Sequence, residues 1–193
     1  EPAARSLLPF DIVPLRATRE RSLPSDTLPV PTHKVWPRSV SALRAALDAK
    51  QLDASALATR SLDAAQSLAD NRVMNVLVAN DPERTKREAS EATARLAAGR
   101  ALGPLDGIPY LVKDEVDVQN LPTRCGSLCE SAVAKAADST VVARLKAAGA
   151  VFVGKTVMTE WGMSPLGQNP NFKMPHNAHH AERVPGGSST GSA

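Results

Sequence analysis

Two stretches of the chain carry residue types that can do chemistry. The first is Gly103-Pro104-Leu105-Asp106-Gly107-Ile108-Pro109-Tyr110-Leu111-Val112-Lys113-Asp114, where a lysine closes an apolar run. A lysine at the end of a buried strand is out of place unless it is paired or used, because burial disfavours its charged form. The second is Pro185-Gly186-Gly187-Ser188-Ser189-Thr190-Gly191-Ser192-Ala193. Such a run builds no core. It either serves as a Gly/Ser linker or brings bare backbone N–H groups and hydroxyls close to a reacting atom. Hydrolysis at a carbonyl needs a nucleophile, a proton relay and a place for the oxyanion. Histidine is the usual relay, but His33 lies in a proline-rich segment and His176, His179 and His180 crowd into one loop without a triad motif. A lysine that has given up its proton can take that part, and burial and neighbouring cations favour it.

Other chemistries fit less well. Gly149 to Thr156 has the letters of a phosphate-binding loop, G-x-x-x-x-G-K-T. That motif needs an open loop, whereas Ala150 to Val153 is an apolar strand between two glycines. His176, His179 and His180 with Glu182 sit in a polar loop with no helix to gather them on one face, so no metal is expected. Asp114, Glu115 and Asp117 lack the glycine of a calcium loop. Asp114 is expected to position the Lys113 loop, and the other two to be exposed. Cys125 and Cys129, with three residues between them, form neither a disulfide framework nor a zinc knuckle. No cofactor is called for.

The elements that must position these groups follow from periodicity. Among the 193 residues, aromatics are scarce and alanine is abundant, which suggests helices packed closely on small side chains. Residues 1–38 hold seven prolines, a density that blocks helix and central strand and predicts an extended arm. Ser39 is placed to cap a helix with Val40, Leu43 and Leu47 on one stripe. Ser55 is expected to cap a second, with Leu57, Ser61, Ala64 and Leu68 on one side. Val73 to Ala79 reads as a buried strand, and Asp81-Pro82 opens a third helix that stops at Gly99. Ile108 to Val112 is the second strand. Asp138-Ser139 caps a helix with Val141, Leu145 and Ala148 inward, ended by Gly149, and Ala150 to Val153 is the third strand. Alternation of helix and strand argues for an α/β layered fold. A net charge of +3 with no Lys/Arg cluster argues against nucleic acid, and no apolar run approaches a membrane span.

Several of these stretches together resemble the amidase signature family of serine hydrolases. The matching segments are Gly107-Ile108-Pro109 through Lys113-Asp114, Asp138 to Ala150, Gly154-Lys155-Thr156 with Met158-Thr159-Glu160, and Pro185 to Ala193. The resemblance runs from Ser39 to Ala193, taken as one incomplete domain after the 1–38 arm. It implies a large mixed β-sheet covered by helices on both faces and hydrolysis of a carboxylic amide C–N bond. It implies that Lys113 is the base and that Ser188, in a cis peptide, passes a proton between Lys113 and the nucleophilic serine. It also implies that Trp161, Gly162, Gly187 and Ser189 face the substrate, although Trp161 is equally suited to core packing.

The chain departs from the family pattern in three places. Glu115 stands where asparagine is common, putting a carboxylate beside Lys113 that opposes the base role unless it points away. Thr190 replaces a common glycine. The family's nucleophile and oxyanion-hole amides belong to a later Gly-Gly-Ser motif that this sequence does not contain. The expectation is therefore an N-terminal part, inactive alone, whose remainder is a second polypeptide or was lost. A small amide substrate, that C-terminal remainder and a possible homodimer are the expected partners. Two free thiols weakly suit a reducing, cytoplasmic setting, and a chain beginning at Glu1 leaves export open. The alternative is a non-catalytic binding or structural component.

Overall fold

The computed structural model describes residues 39–70, 75–177 and 183–193. The proline-rich arm, the start of the strand expected from Val73, and His179, His180 and Glu182 lie outside the described residues.

A three-stranded mixed sheet organises what is described. The strands are β1 (Leu77–Ala79), β2 (Pro109–Lys113) and β3 (Val151–Thr156), in the order β1-β3-β2. β3 is central and buried along its length. It pairs antiparallel with β1 and parallel with β2. Parallel pairing requires a crossover, here supplied by α4 (Thr140–Ala147) between β2 and β3. β1 is shorter than the run from Val73 predicts and only half-buried; among the described residues it is paired on one side.

The helices α1 (Val40–Asp48), α2 (Ala54–Asp70) and α3 (Pro82–Ala97) pack on alanine. Ala54, Ala58, Ala89 and Ala92 join Leu47, Ile108 and Val151 in one buried cluster. Val112, Val118, Val142 and Phe152 form another. Val151 and Phe152 are sequence neighbours in different clusters because successive strand residues point to opposite faces.

Ser39 caps α1 through Ala42 N (3.1 Å) and Asp81 caps α3 through Arg84 N (2.9 Å), both at their expected places. α2 departs from expectation. Its cap is Asp53, which accepts from Ala56 N at 3.0 Å. Ser55 instead bonds Thr93 of α3 (3.0 Å), tying the two helices together. The buried stripe of α2 is Ala54, Leu57, Ala58, Leu62 and Ala65, while Ala64 is exposed. The side chain of Leu68 lies outside the described part. In α4 the core residue is Val142; Val141 faces solvent at 51% exposure. Leu57 is buried as expected, and Leu145 and Ala148 are partly buried; the expected stripes fail at Ala64 and Val141, where the next residue, Ala65 or Val142, turns inward.

The turn entering β2 is held by Asp106, which is fully buried and paired with Arg95 at 2.7 Å. Its carboxylate also accepts from Leu102 N (2.9 Å), and Gly149 packs so closely on it that no Cβ would fit. Arg95 is raised above its ordinary value by the hydrogen bond to Asp106.

Tyr110 meets Phe152 edge-on at 5.8 Å, and Arg84 lies 4.9 Å over the Phe152 ring. Among the described residues the buried Tyr110 hydroxyl has no hydrogen-bond partner, and burial pushes its ionisation above the ordinary tyrosine value. A tyrosine raised on folding contributes stability in full below its unfolded value of about 10, and that contribution is lost as pH rises beyond it. Tyr110→Phe is therefore expected to leave stability equal or higher at pH 7, since an unpartnered buried hydroxyl is removed. It should also flatten the loss of stability above about pH 10. Urea midpoints at both pH values check this, and a clear destabilisation at pH 7 would count against it.

Candidate active site

Lys113 ends β2 opposite Thr156 of β3. The ladder extends one bond further, Asp114 N donating to Thr156 O at 3.1 Å, before the chain turns with Val116 N to Lys113 O at 3.0 Å. The lysine is thus held by sheet backbone on one side and a tight turn on the other. Its side chain is 15% exposed, and Nζ donates to Ser188 Oγ at 2.7 Å.

Ser188 is brought there by the glycine-rich segment lying along the chain that leaves β3. Thr159 N donates to Ser188 O (3.1 Å) and Gly191 N to Val157 O (3.0 Å). The Gly187–Ser188 peptide bond is cis. Gly187 packs on Ser164 O with no room for a Cβ, so only glycine fits there. Gly162, at φ +71°, lies on the other side, where an added Cβ would come 3.5 Å from Ser188 Oγ. Trp161 is 51% exposed among the described residues; its backbone N–H donates to Cys125 O at 2.8 Å. Ser189 is exposed, its carbonyl accepting from Ser192 N at 2.9 Å. The structure therefore brings Lys113, Ser188, Gly187 and Gly162 together and leaves Trp161 and Ser189 open to solvent close by in sequence.

Glu115 does not point away. Its half-exposed carboxylate pairs with Lys113 Nζ at 3.4 Å. Asp117 pairs with Lys135 at 3.5 Å.

A second lysine lies behind the first. Lys155 of β3 is fully buried, its Nζ 2.7 Å from both Pro122 O and Thr123 Oγ1 and 2.9 Å from Asp114 Oδ1. Burial pushes its ammonium below the ordinary value while Asp114 pulls the other way. All three donors are engaged within the protein, so Lys155 is anchored rather than presented to a substrate. The sequence offers Lys155 only within the Gly149–Thr156 letters and the Gly154-Lys155-Thr156 segment of the resemblance; the signal missed was β-strand continuing through Gly154 into Thr156. The same fact removes the phosphate-loop alternative, because a buried strand offers no N–H cradle.

Asp114 is the junction of this inner network. Its Oδ2 accepts from Arg124 N (3.3 Å) and Gly126 N (3.4 Å). Gly126 O in turn accepts from Asn169 Nδ2 at 2.8 Å, and Asn171 Nδ2 bonds Glu160 (2.8 Å). The loop after Lys113 and the loop beside Ser188 are thereby tied together. Burial raises the Cys125 thiol above its ordinary value, which opposes a reactive thiolate. Among the described residues no cluster of His, Cys, Asp and Glu could hold a metal, and no helix is long and apolar enough to cross a membrane.

Known proteins resemble this chain throughout the site. Residues 56–193 match the family model described as Amidase. The chain is 41% identical over 155 residues to a glutamyl-tRNA(Gln) amidotransferase subunit of Aromatoleum aromaticum, covering 80% of this chain and 31% of that protein. The corresponding subunit of Heliobacterium modesticaldum is 34% identical over 160 residues, with 83% and 32% covered. Among solved structures, the native peptide amidase of Stenotrophomonas maltophilia superimposes with a TM-score of 0.73 at 31% identity, covering 80% of this chain and 33% of that one. The chain thus spans about a third of the length of these relatives.

Proposed function

The chain belongs to the amidase signature family, and on that premise we propose that it supplies the lysine–serine proton relay of a carboxylic amide hydrolase. The single observation that carries this is the 2.7 Å contact between Lys113 Nζ and Ser188 Oγ. In the proposed reaction Lys113 acts as the base, drawing a proton through Ser188 from a nucleophilic serine contributed by polypeptide beyond this chain. The nucleophile attacks the amide carbonyl, and the lysine ammonium returns the proton through Ser188 to the amine as the C–N bond breaks; water then cleaves the acyl-serine ester, releasing the acid and restoring the serine hydroxyl. An amine leaves poorly as an anion, so this second transfer matters more for amides than for esters. The carboxylate of Glu115, 3.4 Å from Lys113 Nζ, balances the ammonium at that stage; by favouring the charged form it also works against the starting state of the base.

Trp161, Gly162, Gly187 and Ser189 are the proposed substrate-facing residues, supported by the position of Gly162 and Gly187 against Ser188 and the exposure of Trp161 and Ser189. The substrate class is a carboxylic amide. The names of both kinds of relative, amidotransferase and peptide amidase, point to amide nitrogen chemistry without selecting one acyl group. The proposed partner of the chain is the polypeptide carrying the nucleophile.

Ser188→Ala in the whole protein is expected to lower hydrolysis of primary carboxamides by about 10²–10⁴-fold, the usual contribution of a positioned proton-transfer group. Steady-state assay over a panel of primary carboxamides tests it. Turnover within a few-fold of the unmodified protein would overturn the relay.

A further inference from the structure

We propose that Thr190 is a positioning residue for the Lys113–Ser188 relay, its buried hydroxyl holding the turn that presents Ser188. This rests on the proposed lysine–serine relay and adds a residue to it. Thr190 is 2% exposed although Ser189 before it and Ser192 after it face solvent. Its Oγ1 donates to Gly186 O at 3.1 Å, closing a ring across Gly187, Ser188 and Ser189.

From Ser188 onward the backbone is tied already. Ser188 O is held by Thr159 N, Gly191 N by Val157 O, and Ser189 O by Ser192 N, at 3.1, 3.0 and 2.9 Å. On the upstream side stand Gly186, at φ +92°, and Gly187, two residues with no side chain to anchor them. The Thr190 hydroxyl supplies the anchor there. Its methyl Cγ2 reaches toward Gly167, whose φ of +73° and missing Cβ let that turn close over Pro185 and Gly186. A proton relay depends steeply on geometry, and misplacement by about 1 Å can cost on the order of 10²-fold. A glycine pair left loose before Ser188 would shift its Oγ away from Lys113 Nζ.

The test uses variants of the whole protein assayed on primary carboxamides and their matching methyl esters. Thr190→Val keeps the shape and removes the donor. It is expected to lower kcat for the amide about tenfold, an effect well within what misplacement of a relay can cost. KM should change little, and the ester should lose less than the amide. Thr190→Ser, which restores the hydroxyl, should recover most of the amide kcat. Thr190→Ala, expected to show the same amide-selective loss, serves if the valine variant does not fold. Unchanged amide kcat in Thr190→Val, equal losses on amide and ester, or failure of serine to rescue would each overturn the inference. Lys113→Ala runs in parallel. If it keeps amide activity, the relay itself fails; if it is inactive while Thr190→Val is normal, only the role of Thr190 fails.

Discussion

Lys113→Ala is expected to lower carboxamide hydrolysis by the whole protein by about 10²–10⁴-fold or more at neutral pH, the range for loss of a general base. The fold should survive. The side chain lies at the margin of the site, 15% exposed, bonded to Ser188 and paired with half-exposed Glu115. Neither the sheet ladder nor the core clusters use it. Alanine therefore removes the amine while leaving β2 in register with β3. Lys113→Arg sharpens the result. Arginine keeps a cation to pair with Glu115 and donors to reach Ser188, but it does not give up its proton in proteins. It should be as inactive on amides as alanine. Initial rates on primary carboxamides, with thermal melts to establish folding, check both variants. An active arginine variant would mean that charge and hydrogen bonding suffice, and that Lys113 is not a base.

Much of this site is legible from side-chain type alone, because lysine after an apolar run and serine between glycines are both anomalous locally. Strand β2 ending at Lys113 and helix α3 starting at Asp81-Pro82 follow from signals carried within a few residues. What was misread depends on contacts distant in sequence. Ser55 is as good a cap as Asp53 by type, and only the presence of Thr93 on α3 diverts its hydroxyl. Val141 and Val142 are equally apolar, and which one turns inward is set by Val112, Val118 and Phe152. The direction of Glu115 is likewise not a property of its own segment; Lys113 is the nearby cation it answers.

Lys155 is the sharpest case, and it yields the other large expected effect. By its letters this lysine fits a phosphate-binding loop, yet it is fully buried against Asp114, which is 2% exposed. Breaking such a pair strands one charge without water. Lys155→Met is expected to destabilise the folded protein by about 3–5 kcal/mol, the range for removing one partner of a buried ion pair. The loss is not the worth of the contact, since most of it is the cost of the abandoned Asp114 carboxylate. Adding Asp114→Asn removes that charge, and the double variant should regain most of the stability, because a buried pair replaced by neutral groups is often close to neutral overall. Asparagine still offers an oxygen to Arg124 N and Gly126 N, which the carboxylate now holds at 3.3 and 3.4 Å. A double-mutant cycle in urea measures the coupling directly. If the single variant loses less than about 1 kcal/mol, a cost seen at ordinary surface pairs, Lys155 and Asp114 are not coupled in the folded protein. If the double variant is no more stable than Lys155→Met, the cost lies in the lost bonds to Pro122 and Thr123 instead.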